Sequence, residues 1–376
     1  MSATFIKISK KLWSRISESR WTILYISFAV CQMIVSIIIE AVVLRLNEDG
    51  SRALGDLNNR YNNLKNQPNF TAQAQFIYMN YSYPSYLAQY LSIIDGNIWF
   101  IVFEGFLTAL CLSALYFQNT IEIISIGLIN ICLLLFGSIQ TYQSFKWIRR
   151  INLQIDLDFI SYMTPTDLAN LHLPNTVLYA EIVQLAFLVL FVAASIFFGY
   201  KLYGEFGWNI YKKIGAGINT QAMYRTYLIF LLLTKVDFFL LSGFQILNLI
   251  FLYGDAAHNI HTIIIQSVFV AIVIPTLGLG LWGVRSENKV ALLIYAICSV
   301  ATIVNFLYIL ASFIVQRDES LLTFLDILGI TLIIMSLVTA YMAYNNFGEG
   351  LKLHFQRKQY EGIGNPEEKG RFPIDD

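Results

Sequence analysis

Eight long apolar runs constrain the fold of this chain more than any other feature of its sequence. Each run is long enough for a helix of about 20 residues, which is what crossing a hydrocarbon core of about 30 Å requires. Because lipid offers the backbone no hydrogen-bond partners, each run is predicted to be helical. The predicted fold class is therefore an all-α, polytopic transmembrane helix bundle with eight spans, at roughly residues 21–44, 97–117, 123–145, 177–201, 226–253, 262–284, 290–315 and 322–344.

The composition supports this class, since 56% of the residues are hydrophobic and only 13% are charged. A soluble domain of 376 residues cannot bury so much apolar surface. The formal net charge is zero, so we expect no nucleic-acid partner. The expected environment is the lipid bilayer, and the sequence identifies no protein partner.

The distribution of Lys and Arg predicts the orientation. With both termini in the cytosol, 16 of the 25 basic residues lie on the cytosolic side, as the positive-inside rule favours. The segment "KWIRR" at 146–150 is an exception and falls on the lumenal side. The predicted organisation is a cytosolic basic N-terminal tail (1–20), a membrane domain (21–345) with a lumenal loop (45–96), and a cytosolic C-terminal tail (346–376) that we expect to be disordered.

The chain contains two N-x-S/T sequons, "NFT" at Asn69 and "NYS" at Asn80. Both lie in the predicted lumenal loop, so both are candidates for N-glycosylation. The alternative, that these are unused tripeptides in a polar loop, remains open.

The fifth apolar run, "LLLTKVDFFLLSGFQ", contains two charged residues, Lys235 and Asp237. Counted from Arg225, Lys235 is predicted to lie near the bilayer midplane, where a charge costs about 2.5–3.5 kcal/mol. Residues two apart point to opposite sides of a helix, so the two charges cannot neutralise each other. Each needs its own partner, and the fifth helix should be the central one.

We predict Glu104 as the partner of Lys235, with Glu181 as the next candidate. The carboxyl group of Asp237 is expected to accept hydrogen bonds from polar residues of neighbouring spans, such as Asn130, Gln184 or Asn305. Two interpretations of these intramembrane charges remain open. They form a structural ion pair that fixes helix register, or they form a substrate or proton site.

Two further features bear on a transport role. Pro275 is expected to break the sixth span, and Gly278 and Gly280 follow it, as in the unwound helices of transporter sites. On the other hand, the sequence shows no internal repeat, because the long loop after the first span has no counterpart in the second half.

The sequence contains no recognisable catalytic motif, so we expect no enzymatic activity and no cofactor. The spacing of Asp255, His258 and His261 is compatible with a metal pair, but a plain interfacial loop is the preferred interpretation, and no metal site is predicted. The four cysteines lie in apolar runs and are predicted to be small packing residues.

Residues 206–245, "FGWNIYKKIGAGINTQAMYRTYLIFLLLTKVDFFLLSGFQ", resemble the signature region of an uncharacterised fungal family of multi-pass Golgi apparatus membrane proteins. The resemblance implies a Golgi or other endomembrane location and no particular activity. The matching positions are Gly207, Trp208, Tyr211, Lys212, Gly215, Ala216, Met223, Tyr224, Tyr227, Phe230, Lys235, Asp237, Phe238, Phe239 and Gly243.

Two functional hypotheses follow. The first is a carrier or channel that uses Lys235, Asp237 and Glu104. The second is a receptor-like or scaffold protein in membrane trafficking, because the second to eighth spans alone would have the topology of a seven-helix receptor.

Overall fold

The computed structural model describes residues 10–65, 83–159, 172–214, 218–254, 260–316 and 320–348. Within these ranges a short helix at 10–16 precedes eight long helices, and each long helix contains a stretch apolar enough to cross a membrane. The predicted fold class is confirmed. The long helices are α1 (Arg20–Lys65), α2 (Tyr83–Phe117), α3 (Thr120–Phe159), α4 (Thr176–Ile214), α5 (Ile218–Gly254), α6 (Ile260–Ser286), α7 (Lys289–Gln316) and α8 (Ser320–Asn345).

Several helices extend beyond the predicted spans, and α1 extends furthest. It continues to Lys65, and α2 begins at Tyr83, so both ends of the segment predicted as a loop (45–96) are helical. Arg45 and Arg52 each lie 3.5–3.7 Å from acidic groups three or four residues away, an arrangement that stabilises an exposed helix.

The eight helices form two groups of four. In the N-terminal bundle, α1 packs on α2, α2 on α3, α3 on α4, and α4 returns to α1. The C-terminal bundle repeats this order, with α5 on α6, α6 on α7, α7 on α8, and α8 returning to α5. The two bundles meet where α2 and α3 contact α5 and α8. The helix order is thus repeated although the sequence shows no repeat.

The second and third helices of each bundle are joined by the same kind of turn. Gln118 and Glu287 have positive φ angles of 51° and 52°, and the next residue is Asn119 or Asn288. The backbone N–H of that asparagine donates to the backbone carbonyl five residues earlier, which closes the preceding helix. Its side-chain oxygen accepts from backbone amides of the following helix, which caps the helix start.

Both turns lie at the end of the molecule that carries the described termini. Gln118 donates to Glu18 at 2.8 Å, and Gly348 donates to Glu287 at 3.3 Å. At the same end Ser19 donates to Glu205 of α4 at 2.8 Å. We call this the terminal end of the molecule.

Helix α5 has the most buried apolar stretch of the eight spans and contacts helices of both bundles. The prediction that the fifth helix is central is therefore confirmed. The prediction that Pro275 breaks the sixth span is wrong, since α6 is helical from Ile260 to Ser286. Gly280 instead allows α6 and α7 to pack closely, because a Cβ at this position would lie 2.8 Å from the ring of Tyr295 on α7.

Several predictions lie outside the described residues. These are the two sequons at Asn69 and Asn80, Asp255 and His258, and the tail from residue 349 onward. His261 lies at the start of α6 with an exposed side chain, and the described residues contain no cluster of metal ligands. The four cysteines are free.

Candidate functional site

The ammonium group of Lys235 does not contact Glu104, so the predicted pairing is wrong. Its Nζ lies 2.6 Å from Oε1 of Glu122 and 2.9 Å from Oγ of Ser113. Glu122 stands in the first turn of α3, next to the α2–α3 turn. The charge of Lys235 therefore lies near the terminal end of the spans rather than at the bilayer midplane. The reason is that helical side chains point toward the helix N-terminus and the long lysine stem extends this reach.

Asp237 faces the other way, into the C-terminal bundle, where Ser336 of α8 donates a hydrogen bond to its Oδ2. The prediction that Lys235 and Asp237 have separate partners is confirmed. The predicted partners of Asp237 are wrong, since Asn130 and Gln184 belong to the N-terminal bundle and Asn305 pairs with Gln266 at 2.9 Å.

The largest concentration of buried polar groups lies along the axis of the N-terminal bundle. At its first level, Nε2 of Gln32 donates to Oδ1 of Asn130 at 2.8 Å and lies 3.3 Å from Oε2 of Glu104. Ser36 also lies beside the carboxyl group of Glu104. Glu104 is only 1% exposed, so its environment is set by these amide and hydroxyl groups.

The second level is built around Glu40 of α1, which is also 1% exposed. Its carboxyl group lies close to the side chains of Gln140 of α3 and Gln184 of α4. One amide orientation of Asn97 donates to Oε1 of Glu40 at 3.1 Å and accepts from Asn47 at 2.7 Å. All four helices of the bundle thus contribute polar atoms around this carboxyl group.

The third level contains Glu181, where Oγ of Ser144 donates to Oε1 at 2.7 Å. The second carboxyl oxygen of Glu181 is buried and has no hydrogen-bond partner among the described atoms. The three carboxyl groups follow one another closely enough to interact electrostatically, Glu104 with Glu40 and Glu40 with Glu181. We call Glu104, Glu40 and Glu181 the acidic row.

The helical register explains why these residues share one axis. Gln32, Ser36 and Glu40 recur every four residues on α1, and Asn47 follows two turns later, so all four lie on one face. From Gln32 to Asn47 this face extends about 22 Å at a rise of about 1.5 Å per residue. The polar stripe therefore covers most of a hydrocarbon core of about 30 Å.

Among the described residues, no ion pair involves Glu104, Glu40 or Glu181. The pair of Lys235 with Glu122 lies outside the row. A buried carboxylate is costly unless a cation or a proton compensates its charge. These groups therefore suit the binding of an exchangeable proton or cation rather than a fixed ion pair.

Between the acidic row and the α2–α3 turn lies a small cavity lined by Tyr25, Cys111 and Ser195 as well as Gln32 and Glu104. The hydroxyl of Tyr25 donates to the sulfur of Cys111 at 3.4 Å. Polar side chains thus continue from the row toward the terminal end, and such a lining can hold an ordered water molecule.

The C-terminal bundle differs in its polar groups, which form separate clusters. Asn248 donates to Asp326 at 3.0 Å, and Gln266 pairs with Asn305 at another position. Asp237 and Ser336 form a third cluster with Tyr295. In the described ranges these clusters do not join into a row of carboxyl groups.

The structure therefore brings together only two of the residues predicted as sites, Glu104 and Glu181, through a third that sequence reasoning missed. Glu40 lies in the apolar run "SIIIEAVVL" and carries the same signal that drew attention to Lys235, a charge inside a span. Glu122 and Asp326 were also missed. Both stand within one or two turns of a helix start, where an acidic residue is usually attributed to the helix end.

A comparison with curated proteins confirms the predicted resemblance. The chain is 24% identical over 272 residues to a Golgi apparatus membrane protein of the UPF0658 family from Schizosaccharomyces pombe, and the match covers 66% of this chain and 74% of the relative. No family model matches the chain. No solved structure matches it.

Proposed function

We propose that this multi-pass membrane protein of the Golgi apparatus is a carrier or channel that moves protons along the acidic row of the N-terminal bundle. The Golgi location rests on the fission yeast relative, and the membrane character on the eight apolar helices. The observation that carries the proposal is the succession of three buried carboxyl groups along one axis. Amide and hydroxyl side chains surround them, and no ion pair among the described residues includes them.

Chains of buried acidic residues in membrane spans are the usual elements of proton relays. In the N-terminal bundle, a carboxyl group that takes up a proton can pass it on through neighbouring amide, hydroxyl or water groups. Gln140, Gln184 and Asn97 surround Glu40, so the middle carboxyl group has polar neighbours from α2, α3 and α4.

The repeated helix order supports the same proposal, because many transporters consist of two units with equal helix order. In this arrangement the C-terminal bundle serves as the scaffold against which the conducting bundle packs. The transport activity needs no catalytic chemistry, and the positive-inside distribution of Lys and Arg supports cytosolic termini.

The receptor-like alternative has less support. Helix α1 packs against both α2 and α4 and closes the N-terminal bundle, so α2–α8 do not form a separate ring of seven helices. A scaffold role in trafficking would require no conduction at all, which makes flux the distinguishing measurement.

The test is a flux assay with the full-length protein in vesicles that enclose a pH-sensitive dye. With the membrane potential clamped, an imposed pH gradient should collapse faster than in protein-free vesicles. Glu104→Gln should return the rate to that of protein-free vesicles. A potassium or sodium gradient without a pH change serves as the control for metal cations. Absence of proton flux from the folded wild-type protein would refute the proposal and favour the scaffold role.

A further inference from the structure

The junction between the two bundles contains an apolar cleft that is separate from the acidic row. Its empty volume, including its mouth, is about 550 Å³. Four helices line it, α2 and α3 from the N-terminal bundle and α5 and α8 from the C-terminal bundle. Trp99 and Phe103 stand on the α2 side, and Leu240 and Leu328 stand on the opposite side.

The lining side chains are apolar throughout, apart from the indole nitrogen of Trp99 and the thiol of Cys132. An ordered water molecule needs two to four polar partners, which this surface does not provide. If the cleft were empty, the atoms of its walls would lose dispersion contacts on that side. Its occupant must therefore be apolar.

The cleft lies within the membrane-spanning part of the helices, where hydrocarbon chains are the surrounding solvent. We propose that it binds one acyl chain of a membrane phospholipid at the junction of the two bundles. An acyl chain is slender enough to enter between packed helices and needs no hydrogen-bond partners. The bound chain then fills the seam across which the bundles contact each other.

Trp99 provides a direct probe, because brominated acyl chains quench tryptophan fluorescence on contact. Its ring lines the cleft and stacks on Phe239 with centroids 4.7 Å apart. The comparison residue is Trp282, which is 54% exposed on the outer surface of α6. Two full-length variants are needed, each retaining one of these tryptophans and carrying phenylalanine at the other five positions.

Both variants are held in detergent micelles, to which brominated phosphatidylcholine is added at increasing mole fraction. A specific site predicts that Trp99 quenching reaches its plateau at a lower fraction than Trp282 quenching, which follows the bulk lipid. Leu328→Phe, which fills the cleft, should abolish the low-fraction component. Its matched control is Ile327→Phe, at the neighbouring position, where the side chain is 51% exposed, and it should leave Trp99 quenching unchanged.

Equal quenching curves for Trp99 and Trp282, or a Leu328→Phe variant that quenches like the control, would overturn the proposal. A second measurement uses the wild-type protein and so does not depend on the folding of variants. Phosphatidylcholine with a photoactivatable group on one acyl chain should label peptides that line the cleft, and excess unlabelled phosphatidylcholine added before irradiation should reduce this labelling only slowly. Labelling confined to outward-facing peptides would also overturn the proposal.

Discussion

The ion pair between Lys235 and Glu122 predicts an asymmetric response to mutation. Glu122 is 1% exposed on its side chain, and its second carboxyl oxygen has no hydrogen-bond partner among the described atoms. Lys235→Met would leave this carboxylate buried and unpaired. Breaking a buried pair from one side costs about 3–5 kcal/mol. We expect about 3 kcal/mol, since the start of α3 still stabilises a negative charge by about 0.3–1 kcal/mol.

The opposite substitution should cost less. The side chain of Lys235 is 27% exposed, so without Glu122 its ammonium group can still reach solvent or headgroups. It also keeps Ser113 at 2.9 Å and the ring of Phe117 at 5.5 Å. We therefore expect Glu122→Gln to lower the free energy of unfolding by about 1.5–2 kcal/mol, the lower end of the range for one hydrogen bond to a charged group.

The assay is a double-mutant cycle by reversible unfolding in mixed micelles. The double variant Glu122→Gln with Lys235→Met should lose less than the sum of the single losses, because neither charge then remains unpaired. Glu104→Gln combined with Lys235→Met is the control, and its losses should add within about 0.3–0.5 kcal/mol. Additive losses for the Glu122 pair, or a larger loss for Glu122→Gln than for Lys235→Met, would refute the reasoning.

Three further predictions concern packing, buried polarity and topology. Gly243→Ala should lower the free energy of unfolding by about 1–3 kcal/mol, since its Cβ would overlap the ring of Trp99, whereas Gly278→Ala meets no neighbour and should not destabilise. Ser336→Ala removes the hydrogen bond to the buried carboxylate of α5 and should cost about 1–3 kcal/mol in the same unfolding assay. With cytosolic termini, tags at both ends should be cleaved by protease added to intact vesicles, and a protected C-terminal tag would contradict eight spans. Glycosidase should shift the wild type but not the double variant Asn69→Gln with Asn80→Gln.

The number and placement of the helices follow from the sequence because apolar length is a local property. A run of about 20 apolar residues must be helical in lipid whatever its neighbours are. The separate partners of Lys235 and Asp237 also follow from local geometry, since two residues on one helix diverge by a fixed angle.

The identity of the partners did not follow, because it depends on which helices pack together and at what height. Depth counted from Arg225 placed Lys235 near the bilayer midplane, yet the lysine stem reaches the first turn of α3. The acidic row likewise depends on which helices pack together. Glu104, Glu40 and Glu181 come from three different helices, and only the closed packing of α1–α4 places them on one axis.

The most direct test of proton conduction by the acidic row compares two matched substitutions in the vesicle flux assay. Glu40→Gln and Asp326→Asn each replace a carboxyl group that is at most 1% exposed with its isosteric amide, one in each bundle. Each carboxyl group accepts a hydrogen bond from an asparagine side chain, Glu40 from Asn97 and Asp326 from Asn248, so the local losses are comparable. The account predicts that Glu40→Gln abolishes proton flux while Asp326→Asn retains it. Wild-type flux in Glu40→Gln, or equal losses in both variants, would contradict it.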